Sequence, residues 1–126
     1  GAKRIMPLKV SGPFHTRLMK SAGDALAIEL QKAQYGAMKS RVVFNCIGRE
    51  KNDDENIPDL LVKQVQSPVY LEDSIRYMHE QGVTTVIEIG PGKAIGKMVK
   101  KTCPEITVIS IDKPEDFQKG VELLGI

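Results

Sequence analysis

The sequence predicts an α/β layered fold with a mostly parallel sheet, and three observations carry this. β-Branched runs occupy 84–89 and 106–111, stretches whose apolar residues recur every three or four positions flank them, and the connections between are short. At 126 residues and 41% hydrophobic, the chain suits one globular domain that buries most of its apolar side chains.

The elements follow in order. Residues 5–10 read as an extended segment interrupted by Pro7, which an edge tolerates and a central strand does not. The Gly12-Pro13 pair breaks it. From about 16 to 32, Leu18, Ala22, Leu26, Leu30 and Ala33 recur at helical spacing, with Thr16 as a possible cap. After Gly36, the run Val42-Val43-Phe44 reads as a short buried strand stopped by Asn45. Residues 48–56, crowded with charges, read as a solvated loop. A second helix should open at Ile57 with Asn56 as cap and Pro58 in its first turn, and Pro68 ends it. Leu71, Ile75 and Met78 mark a third helix that stops at Gln81-Gly82. After the first strand comes the turn Gly90-Pro91-Gly92. Ile95, Met98 and Val99 then give a short helix, and beyond the second strand Asp112 and Glu115 resemble a capping box for a last helix with Phe117, Val121 and Leu124 inward.

Composition narrows the function classes. Eighteen basic and sixteen acidic side chains leave a net charge of +2 with the signs interspersed, so no footprint for nucleic acid or an anionic membrane appears. No apolar run approaches the length of about 20 residues that a span requires, and the start lacks the features of a signal peptide. A cytoplasmic protein is expected. Cys46 and Cys103 fit no metal spacing and read as reduced thiols, and with two histidines and scattered carboxylates no metal site is expected.

His15, delivered by the break at Gly12-Pro13 to the start of a helix, is the candidate general base, because a rigid loop beside a sheet is where α/β proteins present reactive groups. His79, on a helix between Met78 and Glu80, reads as solvated. Gly90-Pro91-Gly92-Lys93 follows a strand and opens a helix, a geometry that can offer N–H groups to an anion, but it lacks the spaced glycines of phosphate loops. A tight structural turn is the favoured reading. No Gly-x-Ser-x-Gly occurs in the sequence; around Ser21 the first glycine is replaced by Met19 within the helical pattern. These residues present a base without a nucleophile.

Gly12-Pro13-Phe14-His15, then 60–64 with Pro68-Val69, Ser74-Ile75 with Met78, Gly82-Val83 and finally 88–93, in this order and spacing, resemble the C-terminal part of the malonyl-CoA:acyl-carrier-protein transacylases of bacterial fatty acid synthesis. The resemblance runs from about Ala2 to Ile111. It implies the C-terminal portion of an α/β-hydrolase-like acyltransferase subdomain at 11–126, with 1–10 returning from a ferredoxin-like small subdomain that these residues do not include. It implies a ping-pong transfer of malonyl through a serine ester, with malonyl-CoA as substrate, acyl carrier protein as acceptor and no cofactor. His15 matches the catalytic base, and Gln64 the residue whose backbone carbonyl orients it. Phe14 is placed to exclude a branch on the acyl α-carbon, and Asn45 matches a polar residue lining the substrate pocket.

The family's serine elbow, its oxyanion segment and its carboxylate-binding arginine all precede the region that these 126 residues match. The chain alone is therefore expected to be inactive, and to expose an apolar face that self-associates or takes the missing half. Two other classes compete: a non-catalytic module binding acyl carrier protein or acyl-CoA, and a small nucleotide-binding domain using 90–93.

Overall fold

A computed structural model describes residues 1–3, 5–7 and 10–125. A 3₁₀ turn at Arg17–Met19 leads into α1 (Lys20–Leu30), and α2 (Ile57–Gln66) and α3 (Leu71–Glu80) follow. A βαβ unit then comprises β1 (Thr85–Ile89), α4 (Ala94–Thr102) and β2 (Thr107–Ile111), and α5 (Pro114–Leu124) closes the chain. β1 and β2 pair in parallel, Thr85 against Thr107 through Ile89 against Ile111, as the β-branched runs separated by a helix require. No helix among the described residues is long and apolar enough to cross a membrane.

Two small cores hold the chain. Ile75, Val99, Cys103 and Ile106 join α3, α4 and the start of β2, whereas Phe44, Cys46 and Leu60 pin the loop before α2 onto that helix. Burying each large aliphatic side chain stabilises the fold by about 1.5–3 kcal/mol. Both cysteines are free and buried, and burial pushes the Cys46 thiol up.

The helix signals around α2 and α3 hold residue by residue. Asn56 Oδ1 accepts the Asp59 N–H at 2.9 Å, Pro58 lies in the first turn of α2, and Gly82 takes φ 87° just beyond α3. Elsewhere the structure corrects the sequence. Val42-Val43-Phe44 forms no strand: Phe44 makes a single antiparallel bridge with Arg49 across a turn, and its burial comes from Leu60 rather than from a neighbouring strand. Ile5, Met6, Pro7 and Val10 carry no strand either, and Leu8 and Lys9 lie outside the described residues. Pro7 supplies no ladder N–H, and no described segment pairs with it. The last helix is capped one position later than expected. Pro114, lacking an N–H, takes the first helical position, so Lys113 is the cap and the Asp116 carboxylate accepts the N–H groups of Asp112 and Lys113. Glu115 takes no part in this.

The sheet's two faces differ. On one, α4 lies so close that a Cβ added at Gly96 would meet Glu88 Oε2 at 2.7 Å and Val108 Cγ1 at 2.8 Å. On the other, α5 covers β2 by placing Gly120 over Ile109 and Ile111, and among the described residues nothing covers β1 there. Ile89 is 80% exposed and Ile87 43%. Phe117, expected inward, is 61% exposed because the surface it turns towards has no covering element among the described residues. Val121 is half-buried, and the Leu124 side chain lies outside those described.

Gly96→Ala should be destabilising by about 1–3 kcal/mol, since neither the strand nor the bonded carboxylate can retreat from the new methyl group. Urea unfolding of the variant against the parent measures this.

Candidate functional site

His15 stands in the loop before the 3₁₀ turn with φ 60°, the one non-glycine residue at positive φ among those described. A left-handed residue with a side chain costs about 1–2 kcal/mol, so surrounding bonds must hold it. Thr16 supplies two of them: its hydroxyl donates to the Pro13 carbonyl at 2.8 Å and accepts the Leu18 N–H at 3.3 Å, spanning the histidine from both sides. The expected cap is thus present, although it caps the 3₁₀ turn and α1 begins only at Lys20.

The held imidazole reaches another part of the chain. Its Nδ1 lies 2.8 Å from the backbone oxygen of Gln64, 49 residues on. A carbonyl can only accept, so Nδ1 carries the proton and Nε2 of the neutral ring keeps its lone pair. The packing of α1 on α2 sets the distance, with Gly23 closing against Gln66 and Val62; a Cβ there would stand 3.0 Å from the Gln66 amide nitrogen. Both the ring and the loop that carries it are solvent-exposed.

The structure therefore brings His15 and Gln64 together. Phe14 is 58% exposed, and its ring folds back over Gly12, where an added Cβ would lie 3.3 Å from it. Asn45 has other partners than His15 and Gln64. Its carbonyl accepts the Tyr70 N–H at 2.8 Å, and the residue lines a cavity of about 490 Å³ with Arg41, Glu50, Ser74, Tyr77 and Gln81. Asn45 Oδ1 is buried with no described partner. Arg41 ties that cavity's rim together, donating from Nε to Glu50 and from Nη2 to Gln81 at 2.8 Å, and its guanidinium holds the Glu50 carboxyl below the usual carboxylate range. His79 is half-buried rather than solvated, with Nδ1 buried and without a described partner.

Donors in the loop 90–93 and in the first turn of α4 are already taken up within the chain, among them Gly90 N–H by the Ile111 carbonyl at 3.0 Å. Glu88, the one charge in an otherwise apolar and β-branched strand, turns its carboxylate onto the start of α4 and accepts the N–H groups of Ile95 at 2.9 Å and Gly96 at 3.1 Å. It also accepts the Ser110 hydroxyl at 2.9 Å, and Asp112 accepts the Gly92 N–H at 3.0 Å. A helix N-terminus occupied by its own carboxylate is not free for phosphate, which removes the support for a nucleotide site. The charge inside Thr85–Ile89 was the signal in the sequence that could have shown this. No cluster of three or more potential metal ligands occurs among the described residues.

Partial desolvation pushes the Glu88 carboxyl up, but the bonds from Ser110, Gly96 and Ile95 outweigh it and hold the group below its ordinary value of 4.5. Its contribution to stability is therefore complete above 4.5 and lost as pH falls through the depressed folded-state value. In Glu88→Gln this acid-side loss should flatten, and the variant should melt below the parent at pH 7. Melting temperature against pH reads both effects.

Comparison with known proteins gives no match to any family model. The chain is 38% identical over 124 residues to the malonyl CoA-acyl carrier protein transacylase of Bacillus subtilis, covering 98% of this chain and 39% of that protein. Among solved structures, the transacylase MCAT of Streptococcus pneumoniae superposes with a TM-score of 0.90 at 36% identity, covering 98% of this chain and 40% of the other. A malonyl-transacylase solved in complex with a type II polyketide acyl-carrier protein superposes at 0.88 with 32% identity, covering 98% and 40% respectively. The chain thus spans about two-fifths of the length of the curated relatives it matches.

Proposed function

Since this chain resembles the C-terminal part of the malonyl-CoA:acyl-carrier-protein transacylases over almost its whole length, we propose that it forms the histidine-bearing portion of such an acyltransferase. The reaction moves a malonyl group from malonyl-CoA to the phosphopantetheine thiol of acyl carrier protein. It exchanges one thioester for another through a serine ester and calls for no cofactor.

The observation that carries this reading is the 2.8 Å contact between His15 Nδ1 and the Gln64 carbonyl. With the proton held on Nδ1, the Nε2 lone pair is free to take the serine proton as Oγ attacks the thioester carbonyl. The C–S bond then breaks, and the imidazolium returns the proton to the departing CoA thiolate. The second half runs in reverse: the carrier protein's thiol gives its proton to Nε2, its sulfur attacks the serine ester, and the serine is regenerated. Gln64 does the work of a triad aspartate through a neutral backbone dipole, so its side chain is dispensable. Phe14, adjacent to the base, sets the preference for malonyl by leaving no room for a methyl branch. Asn45 contributes to the acyl pocket only through the cavity it lines, whose lining includes neither His15 nor Gln64.

The 126 residues contain no Gly-x-Ser-x-Gly, so the nucleophile comes from the remainder of a transacylase, in cis or in trans. Purified chain with malonyl-CoA and acyl carrier protein should give no malonyl-carrier protein by mass spectrometry. Addition of the preceding part of the Bacillus subtilis relative should restore transfer. In that reconstituted enzyme, His15→Ala should lower kcat by about 10²–10⁴-fold and Gln64→Ala should leave it within a few-fold. Transfer by the chain alone, or indifference to His15→Ala, would overturn the proposal.

The uncovered face of β1 at Ile87 and Ile89, together with exposed Phe117 and Leu123, is the surface on which the rest of the enzyme packs, because parallel strands are ordinarily covered on both faces. Without that covering a second copy takes its place. Sedimentation equilibrium should show a weight-average mass that rises with protein concentration; a concentration-independent monomer contradicts this.

A further inference from the structure

We propose that Pro68 is a positioning residue for His15, acting by keeping the Gln64 carbonyl free for the imidazole. This inference rests on the reading of His15 as the base, but its test does not depend on turnover.

In a continuing α-helix, the carbonyl of residue 64 accepts the N–H of residue 68. Here residue 68 is proline, which has no N–H, and α2 stops at Gln66. Proline also disfavours helical backbone in the residue before it, and Ser67 is extended at φ −121°, ψ 155°. The chain turns away, and Gln64 becomes one of the orphan carbonyls of the last turn. Among the described residues the donor that reaches it is His15 Nδ1, at 2.8 Å. Pro68 itself is solvent-exposed, so its ring adds little to the core, and its effect is on which donor the oxygen receives.

With alanine at 68, Ser67 is released to helical backbone and a new N–H can close onto the Gln64 oxygen. The ring and the amide then share one acceptor, and the hold on the Nδ1–H tautomer weakens. Glycine at 68 also restores an N–H but disfavours another helical turn, so it separates competition for the oxygen from mere loss of the proline ring.

The test compares the parent, Pro68→Ala and Pro68→Gly by long-range ¹H–¹⁵N correlation of the His15 ring and by hydrogen exchange of the amide at 68, with circular dichroism confirming the fold. In Pro68→Ala the 68 amide should be protected, and the ratio of Nδ1–H to Nε2–H imidazole should fall about three- to tenfold. Pro68→Gly should show a freely exchanging amide and a ratio close to the parent's. An unchanged ratio in Pro68→Ala overturns the proposal. So does an equal fall in both variants with the 68 amide unprotected, since that assigns the effect to loss of the ring rather than to a competing donor.

Discussion

One hydrogen bond, from the His15 imidazole to the backbone of Gln64, ties together parts of the chain that are 49 residues apart, and the site has no geometry without it. Each end is prepared locally. Gly12-Pro13 and the two bonds of Thr16 hold the histidine in a left-handed conformation that its side chain disfavours, while the end of α2 presents a carbonyl with no helical partner. The distance between the ends is then a matter of how closely α1 lies on α2, which Gly23 permits. A dipolar acceptor suits this task. It fixes the tautomer without placing a full charge beside the base, and a backbone atom cannot be lost by substitution of its own side chain.

The βαβ half has a different character. Its possible anion-binding groups are turned inward, with Glu88 and Asp112 occupying the donors at the start of α4 and in the glycine turn, and Gly96 packed against the sheet. This half is scaffold, joined to the other by α3, whose N-cap Tyr70 donates its N–H to the Asn45 carbonyl and whose Tyr77 lies beside Glu50. Among its exposed lysines and carboxylates it leaves apolar side chains uncovered: Ile87 and Ile89 on one face of β1, Phe117 and Leu123.

Much of this was legible in the sequence where the signal is local. Asn56, Pro58 and Gly82 delimit α2 and α3 because caps and breakers act within a turn, and the two β-branched runs gave the parallel strands directly. The failures are those where a distant partner decides. Val42-Val43-Phe44 has the composition of a buried strand, but a strand needs a neighbour, and Leu60 buries Phe44 without supplying one. Phe117 lies on an apolar stripe that nothing described covers. At the site, the Gly-Pro break marked His15 and the family likeness pointed to Gln64, but the residues alone could not identify an orienting group that is a backbone carbonyl. Its trace in the sequence was Pro68, four positions after Gln64, which read only as a helix stop.

The ring nitrogens of His15 in the parent chain test the central claim most directly. Their ¹⁵N shifts above the histidine titration range should show Nδ1 protonated and Nε2 bare, the form a carbonyl at 2.8 Å from Nδ1 selects. A predominance of the Nε2–H form, as an unconstrained imidazole shows, would mean that the Gln64 carbonyl does not orient the base.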